Sequence, residues 1–229
     1  MQKTQDNLYM ILAAIFIASL VSCNLIFQKF FAINIWIPFI GNYTFEQSVG
    51  LLAYPITFIV TDIISEIYGR KKANQVVTSG LVASIFMLFI VTIADVVPMA
   101  SWSKVTSSQF NHVFGLSSAA VFASMVSYLF AQYIDIRIFH FWKRLTDGKH
   151  LWLRNNASTV FSQFLDTCSV LTLLCFYNVI AWEKFSTLLL NGFLFKVFFA
   201  AFDTPIIYMI TAYLRKKFNL EFGQELSSQ

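Results

Sequence analysis

Residues 8–27 read LYMILAAIFIASLVSCNLIF, twenty residues without one charged side chain. As a helix this run rises about 30 Å, the thickness of a bilayer's hydrocarbon core. Only a short polar stretch precedes it and no A-x-A cleavage site follows, so it is expected to be a retained span rather than a signal peptide. Five further segments have the same character: about Val49 to Tyr68, Ala73 to Val97, Leu116 to Phe141, Asn155 to Ala181 and Thr187 to Leu214. The expected fold class is therefore all-α, an integral membrane six-helix bundle forming a single transmembrane domain over residues 1–229. The segment Ile33–Ile40 is apolar but too short to cross, and it ends around Pro38 and Gly41. It is expected to be an interfacial or re-entrant hairpin. The loop Pro98–Gly115 is the only sizeable connection on its side.

Composition agrees with the spans. Hydrophobic residues make up 57% of the 229, charged residues only 12%, and Phe occurs 26 times. A soluble domain carries about 25% charged residues, so this chain lacks the charge to cover a globule in water. A net charge of +4 with basic residues at span ends argues against a nucleic-acid partner and for the lipid bilayer as the surroundings. Cys23, Cys168 and Cys175 all fall inside apolar runs, with no CxxC, which argues against a disulfide framework or a zinc site. Their expected role is packing.

Lys and Arg set the expected orientation. Lys3, Arg70, Lys71, Lys72, Arg137, Lys143, Arg144, Lys149, Arg154, Arg215, Lys216 and Lys217 fall on one side, and only Lys29, Lys104 and Lys184 on the other. Both termini are therefore expected in the cytoplasm, in a multi-pass protein of the cytoplasmic (inner) membrane. Trp36, Trp102, Trp142, Trp152 and Trp182 all lie at span ends or in loops, where an interfacial aromatic belt belongs.

Ionisable and amide side chains inside spans are costly, so they mark candidate functional positions. In the second span, Asp62 and Glu66 share a helical face, with Arg70 a further turn on as a partner for Glu66, while Pro55 is expected to kink the helix. In the fourth, Ser124, Tyr128, Gln132 and Asp135 form one stripe, expected to line a cavity, while Arg137 points elsewhere. In the fifth, Asn156, Thr159, Gln163 and Asp166 fall within roughly 80° of one another at 100° per residue. Amides offer donors and acceptors and the carboxylate acceptors only, a set suited to the mixed edge of a heterocycle. In the sixth, Lys196 lies near mid-span and is expected to meet a partner from another helix. Asp203-Thr204-Pro205 is expected to interrupt the helix. Asn24, beside Ser22, is a weaker candidate. No HExxH, G-x-S-x-G or glycine-rich phosphate loop occurs, so neither an enzyme nor a chain that hydrolyses ATP itself is expected.

These residues resemble a known family. The run Ala53-Tyr54-Pro55-Ile56-Thr57-Phe58-Ile59-Val60-Thr61-Asp62-Ile63-Ile64-Ser65-Glu66-Ile67-Tyr68-Gly69 resembles the YPxTFxxTDxxxExYG signature of the queuosine precursor transporter family, also called VUT. Gln132-Tyr133-Ile134-Asp135-Ile136 resembles its QxxDI. Asn156-Ala157-Ser158-Thr159 with Ser162-Gln163 and Asp166-Thr167 resembles its fifth span, and Lys196 with Asp203-Thr204-Pro205 its sixth. The resemblance implies import of a 7-deazaguanine base for queuosine modification of tRNA: 7-cyano-7-deazaguanine, 7-aminomethyl-7-deazaguanine or queuine. It also implies a fold like the substrate-binding components of energy-coupling-factor vitamin transporters. Such a base presents an N1–H beside an exocyclic amine, matched by a carboxylate, and a carbonyl matched by a donor. Asn156, Gln163, Asp166, Gln132 and Lys196 are the candidates for its edge. Asp62, Glu66, Asp135, Asp203 and Asn24 are candidates for support or gating. No cofactor or metal is implied. A binding subunit that needs a separate ATPase module is the alternative, and an intramembrane enzyme a second; a homo-oligomer is compatible with either.

Overall fold

The computed structural model describes residues 2–38, 41–115, 118–147, 149–221 and 223–226, with the backbone alone at 37, 118–124 and 154. The side chains of Ser124 and Arg154 and the end of the Ile33–Ile40 segment thus lie outside the described residues. In order come α1 (Gln2–Ile26), β1 (Phe30–Ile37), β2 (Gly41–Ser48), a 3-10 turn (Val49–Ala53), α2 (Tyr54–Ile67) and α3 (Gly69–Val96). The short α4 (Ser107–Phe114), α5 (Ser118–Leu145), α6 (Leu151–Phe176), a second 3-10 turn (Trp182–Lys184) and α7 (Phe185–Phe218) follow. The chain is mostly helical, and the all-α expectation is amended by one β-hairpin.

Among the described residues, five segments are long and apolar enough to cross a membrane: Gln2–Ile26, Val49–Ile67, Gly69–Val96, Leu151–Phe176 and Trp182–Phe218. The expected fourth span corresponds to α5, which matches them in length and whose first-half side chains lie outside the described residues. Its second half carries Tyr128, Gln132 and Asp135, all buried. It packs on α3 and α6 as a polar-striped neighbour.

The chain is apolar outward and polar inward, as a bilayer requires. On α3 the exposed residues Val82, Phe86, Phe89, Ile93 and Val96 recur at helical spacing down one face, and on α7 Leu190, Leu194, Phe198, Phe202, Met209 and Tyr213 do the same. Buried instead are Asp62, Glu66, Gln132, Asp135, Gln163, Asp166, Lys196 and Asp203. Helix α2 occupies the centre, touching α1, α3, α5 and α7. From Thr57 to Ile67 only Ile59 is not buried, so beyond its first turn, where Ile56 is exposed, this helix has no lipid face. Helices α1 and α3 meet at Gly80, where a Cβ would lie 2.7 Å from the Phe16 ring and 2.9 Å from Leu20. Only glycine permits that approach.

The short apolar segment after α1 is one strand of a hairpin. Strand β1 pairs antiparallel with β2 in the register Phe30↔Ser48 to Ile37↔Gly41. Gly41 adopts φ +87°, which leaves the turn to a residue without a Cβ. The ribbon is pinned to α7: Tyr43 Oη donates to Asn191 Oδ1, Asn191 Nδ2 donates to the Glu46 carbonyl at 3.0 Å, and Lys184 pairs with Glu46 at 2.8 Å. Gln47 Nε2 adds a bond to the Leu188 carbonyl at 3.3 Å.

Neither Pro55 nor Pro205 acts as expected. Pro55 sits in the first turn of α2, where its missing N–H is unneeded and its fixed φ suits the helix, so it starts the helix rather than kinking it. Pro205 lies inside α7, which runs unbroken from Phe185 to Phe218. Its missing N–H leaves the Ala201 carbonyl without its helical donor, while one residue earlier Thr204 Oγ1 donates to the Ala200 carbonyl at 2.9 Å. The loop Pro98–Gly115 folds in its second half into α4, started by a reciprocal cap between Thr106 and Gln109.

Candidate functional site

Two internal spaces meet at Tyr54 and Lys196. The larger, a cavity of about 140 Å³, lies at the hairpin end of the bundle between α1, α2, α6 and α7. Its walls are mostly apolar, with Leu20, Phe27, Leu51, Leu171 and Leu188 among them, and Gln47 and Phe30 of the hairpin close it on one side. A small-molecule site has this character: apolar walls with a few placed polar groups. The second space is a cleft of about 20 Å³ running on between α2, α6 and α7, lined by Asp62, Asn155, Thr159, Gln163 and Asp203. That is room for roughly one water-sized body.

The polar groups between the two form one connected unit. Asp166 on α6 accepts at Oδ2 from Tyr54 Oη at 2.6 Å and from Lys196 Nζ at 2.6 Å. Lys196 also donates to Thr167 Oγ1 at 3.0 Å, and its ammonium lies 4.3 Å from the centre of the Tyr54 ring. The Tyr54 ring meets Tyr128 edge-on at 5.2 Å, and Gln132 Nε2 donates to Tyr128 Oη at 2.7 Å. Burying a carboxylate and an ammonium is tolerable because they neutralise each other and hydroxyls of Tyr54 and Thr167 take up part of their remaining bonding. Some bonding capacity is left over. Asp166 Oδ1, Gln132 Oε1 and both amide atoms of Gln163 are buried without a hydrogen-bond partner. Buried groups in that state normally serve a ligand, a water or strain.

The structure sorts the sequence candidates. Asp166 and Lys196 line the cavity; Gln163 and Lys196 line the cleft, with Asp62 and Asp203 beside them; Asn24 lines the cavity and bonds Ser84 Oγ at 3.4 Å. Gln132 stands behind Tyr128. Asp135 turns to α6, accepting from Ser162 Oγ at 2.9 Å, so this part of the α5 stripe docks helix against helix instead of lining a cavity. Asn156 lines neither space. It bonds Thr204 Oγ1 at 2.9 Å and the Trp152 carbonyl at 2.8 Å, and it borders the face of Trp152, Phe161 and Phe193. Its neighbour Asn155 faces the cleft, with Oδ1 unpartnered. Helical phase explains the exchange: at 100° per residue Asn155 is about 20° from Asp166 and Asn156 about 80°.

Glu66 belongs to neither space and does not rely on Arg70. It pairs with Arg215 of α7 and with Lys143 of α5 at 3.5 Å, and Lys143 continues to Glu225 at 2.9 Å. This cluster ties together α2, α5, α7 and the C-terminal segment at the end of the bundle away from the hairpin. Tyr128 of the α5 stripe does line the cavity, whereas sequence reasoning missed Tyr54, Asn155 and Gln47 as site residues. Tyr54 had a signal, since it stands in the quoted Ala53-Tyr54-Pro55 run; Gln47 had none, because its place follows from the hairpin. All three cysteines are free thiols, with Cys23 at the cavity wall. Among the described residues no three His, Cys, Asp or Glu converge as metal ligands do.

Comparison with known proteins places the geometry. Residues 48–210 match the family described as "Putative vitamin uptake transporter". The "Probable queuosine precursor transporter" of Bacillus subtilis is 25% identical over 171 residues, 74% of this chain and 72% of that protein. The "Queuosine precursor transporter" of Escherichia coli is 24% identical over 140 residues, 61% of this chain and 58% of that one. The "Probable queuosine precursor transporter" of Haemophilus influenzae is 22% identical over 218 residues, 93% and 86% of the two chains. No solved structure matches the chain. The matched region contains every residue of the cavity–cleft junction, Tyr54, Asp166 and Lys196 among them, and the chain belongs to the vitamin uptake transporter family that includes queuosine precursor transporters.

Proposed function

We propose that this protein imports a queuosine precursor, 7-cyano-7-deazaguanine or 7-aminomethyl-7-deazaguanine, across the cytoplasmic membrane, with queuine as a further substrate. The observation that carries the reading is Asp166. Its Oδ1 is buried at the inner end of an apolar-walled cavity and has no partner, while Oδ2 is held by Tyr54 and Lys196. A buried acceptor with its charge already balanced suits a neutral heterocycle that presents N–H donors. The Tyr54 and Tyr128 rings supply π surface beside it. With both termini in the cytoplasm, as the Lys/Arg distribution favours, the hairpin end is the outer side and the Glu66–Arg215 cluster closes the inner side. The cavity then takes substrate from outside, and α5 serves as the sixth membrane helix of one transmembrane domain.

The decisive experiment is binding of 7-cyano-7-deazaguanine to the detergent-purified protein, with guanine and biotin as competitors. Saturable binding that survives both competitors supports the reading; no binding by folded protein sinks it. In cells, Asp166→Asn should abolish uptake of the precursor and Arg137→Gln, on the exposed side of α5, should have a smaller effect. Equal losses would refute the site.

A further inference from the structure

We propose that Lys196 is a movable counter-ion with two seats, one on Asp166 and one in the cleft, and that it changes seat when ligand binds. This inference rests on the reading of Asp166 as the ligand's acceptor. In the present structure Asp166 Oδ2 already takes two donors, the Tyr54 hydroxyl and the Lys196 ammonium, at 2.6 Å each. A carboxylate oxygen has about two lone-pair sites, so Oδ2 is full and only Oδ1 is open. A heterocycle edge with two adjacent N–H donors binds a carboxylate through both oxygens in parallel. Such an edge needs one donor to leave Oδ2.

Lys196 is the donor with somewhere to go. It lines the cavity and the cleft alike, so rotation of its flexible side chain carries the ammonium between them without moving α7. The cleft, at about 20 Å³, has room for one small polar group. It offers acceptors that have no donor now: Asn155 Oδ1 and Gln163 Oε1 are unpartnered, and both residues are at least 98% buried. Asp203 supplies the charge, since it is 5% exposed and makes no ion pair among the described residues. The face of the Tyr54 ring, 4.3 Å from Nζ, lies beside the path and is favourable to a cation. The ammonium thus keeps a counter-charge in either seat, and ligand arrival in the cavity is registered by charge movement in the cleft.

Two cycles of variants of the full chain in detergent test this. In the first, the affinity for 7-cyano-7-deazaguanine is measured by calorimetry. Asp203→Asn should weaken binding by about tenfold in the otherwise unaltered protein and by no more than about twofold beside Lys196→Met, because the effect runs through the ammonium. An equal loss in both backgrounds overturns the proposal, since a merely structural role of Asp203 would not depend on Lys196. The second cycle needs no ligand and no Lys196 variant. In Asp166→Asn the ammonium has only the cleft seat left, so adding Asp203→Asn should lower the Tm by about twice as much as it does in the wild type. Additive Tm losses overturn the two-seat model whatever the binding result. If the wild type binds no deazaguanine while the Tm losses are coupled, the substrate reading fails and the two seats stand.

Discussion

Replacing Lys196 with Met removes the ammonium and keeps much of the side chain's length, which isolates the charge. At 2.6 Å and an effective dielectric of about 20, the Asp166–Lys196 attraction is about 6 kcal/mol. Desolvation of both ions offsets most of that in the intact pair. The substitution removes the attraction and leaves the carboxylate's desolvation in place, because Asp166 is 1% exposed. Breaking a buried pair in this way costs about 3–5 kcal/mol. For a chain of this length that is a Tm loss of roughly 6–20 °C, read by thermal unfolding in detergent. Adding Asp166→Asn should return most of the loss, since no charge is then left buried and the Asn carbonyl still accepts from Tyr54. A double variant whose loss equals the sum of the two single losses would refute the argument. The loss in Lys196→Met would then stem from packing.

Tyr54→Phe removes one charge-assisted hydrogen bond and leaves the ring; it should cost about 1.5–3 kcal/mol of stability and weaken ligand binding, and full affinity with unchanged Tm would contradict the cavity geometry. Gly80→Ala places a Cβ against Phe16 and Leu20 and should destabilise by about 1–3 kcal/mol through overpacking of α1 on α3, visible as a lower Tm without any change in affinity. Asn156→Ala should leave precursor affinity within a few-fold, whereas Asn155→Ala, which empties the cleft of one acceptor, should not; calorimetry on the pair would reverse the assignment if Asn156 proved the more sensitive. Glu66→Gln removes the carboxylate shared by Arg215 and Lys143 and should cost about 3–5 kcal/mol, and a neutral result by thermal unfolding would show that the cluster does not hold that end of the bundle.

Much of this molecule was legible in its sequence, for a simple reason. A bilayer punishes every unpaired polar group, so apolar runs of spanning length and rare intramembrane charges are strong signals that need no partner to be read. The membrane class, the places of the helices, the inward face of Gln163 and Asp166, and the need of Lys196 for a partner on another helix all follow from pattern and phase alone. Other features depend on which elements meet. Glu66 has Arg70 one turn away in the chain, yet it pairs with Arg215 and Lys143, which only the packing of α2 against α7 and α5 brings within reach. Asn155 and Asn156 differ by one position, and helix rotation against α7 decided which faces the cleft. The hairpin's strands, the service of Pro55 as a helix start and the unbroken course of α7 through Pro205 are likewise seen only in the tertiary structure. Sequence determined which residues must be buried together in lipid; the tertiary structure chose their partners, because an ion pair or hydrogen bond is set by distances of a few ångströms that no period along one helix encodes.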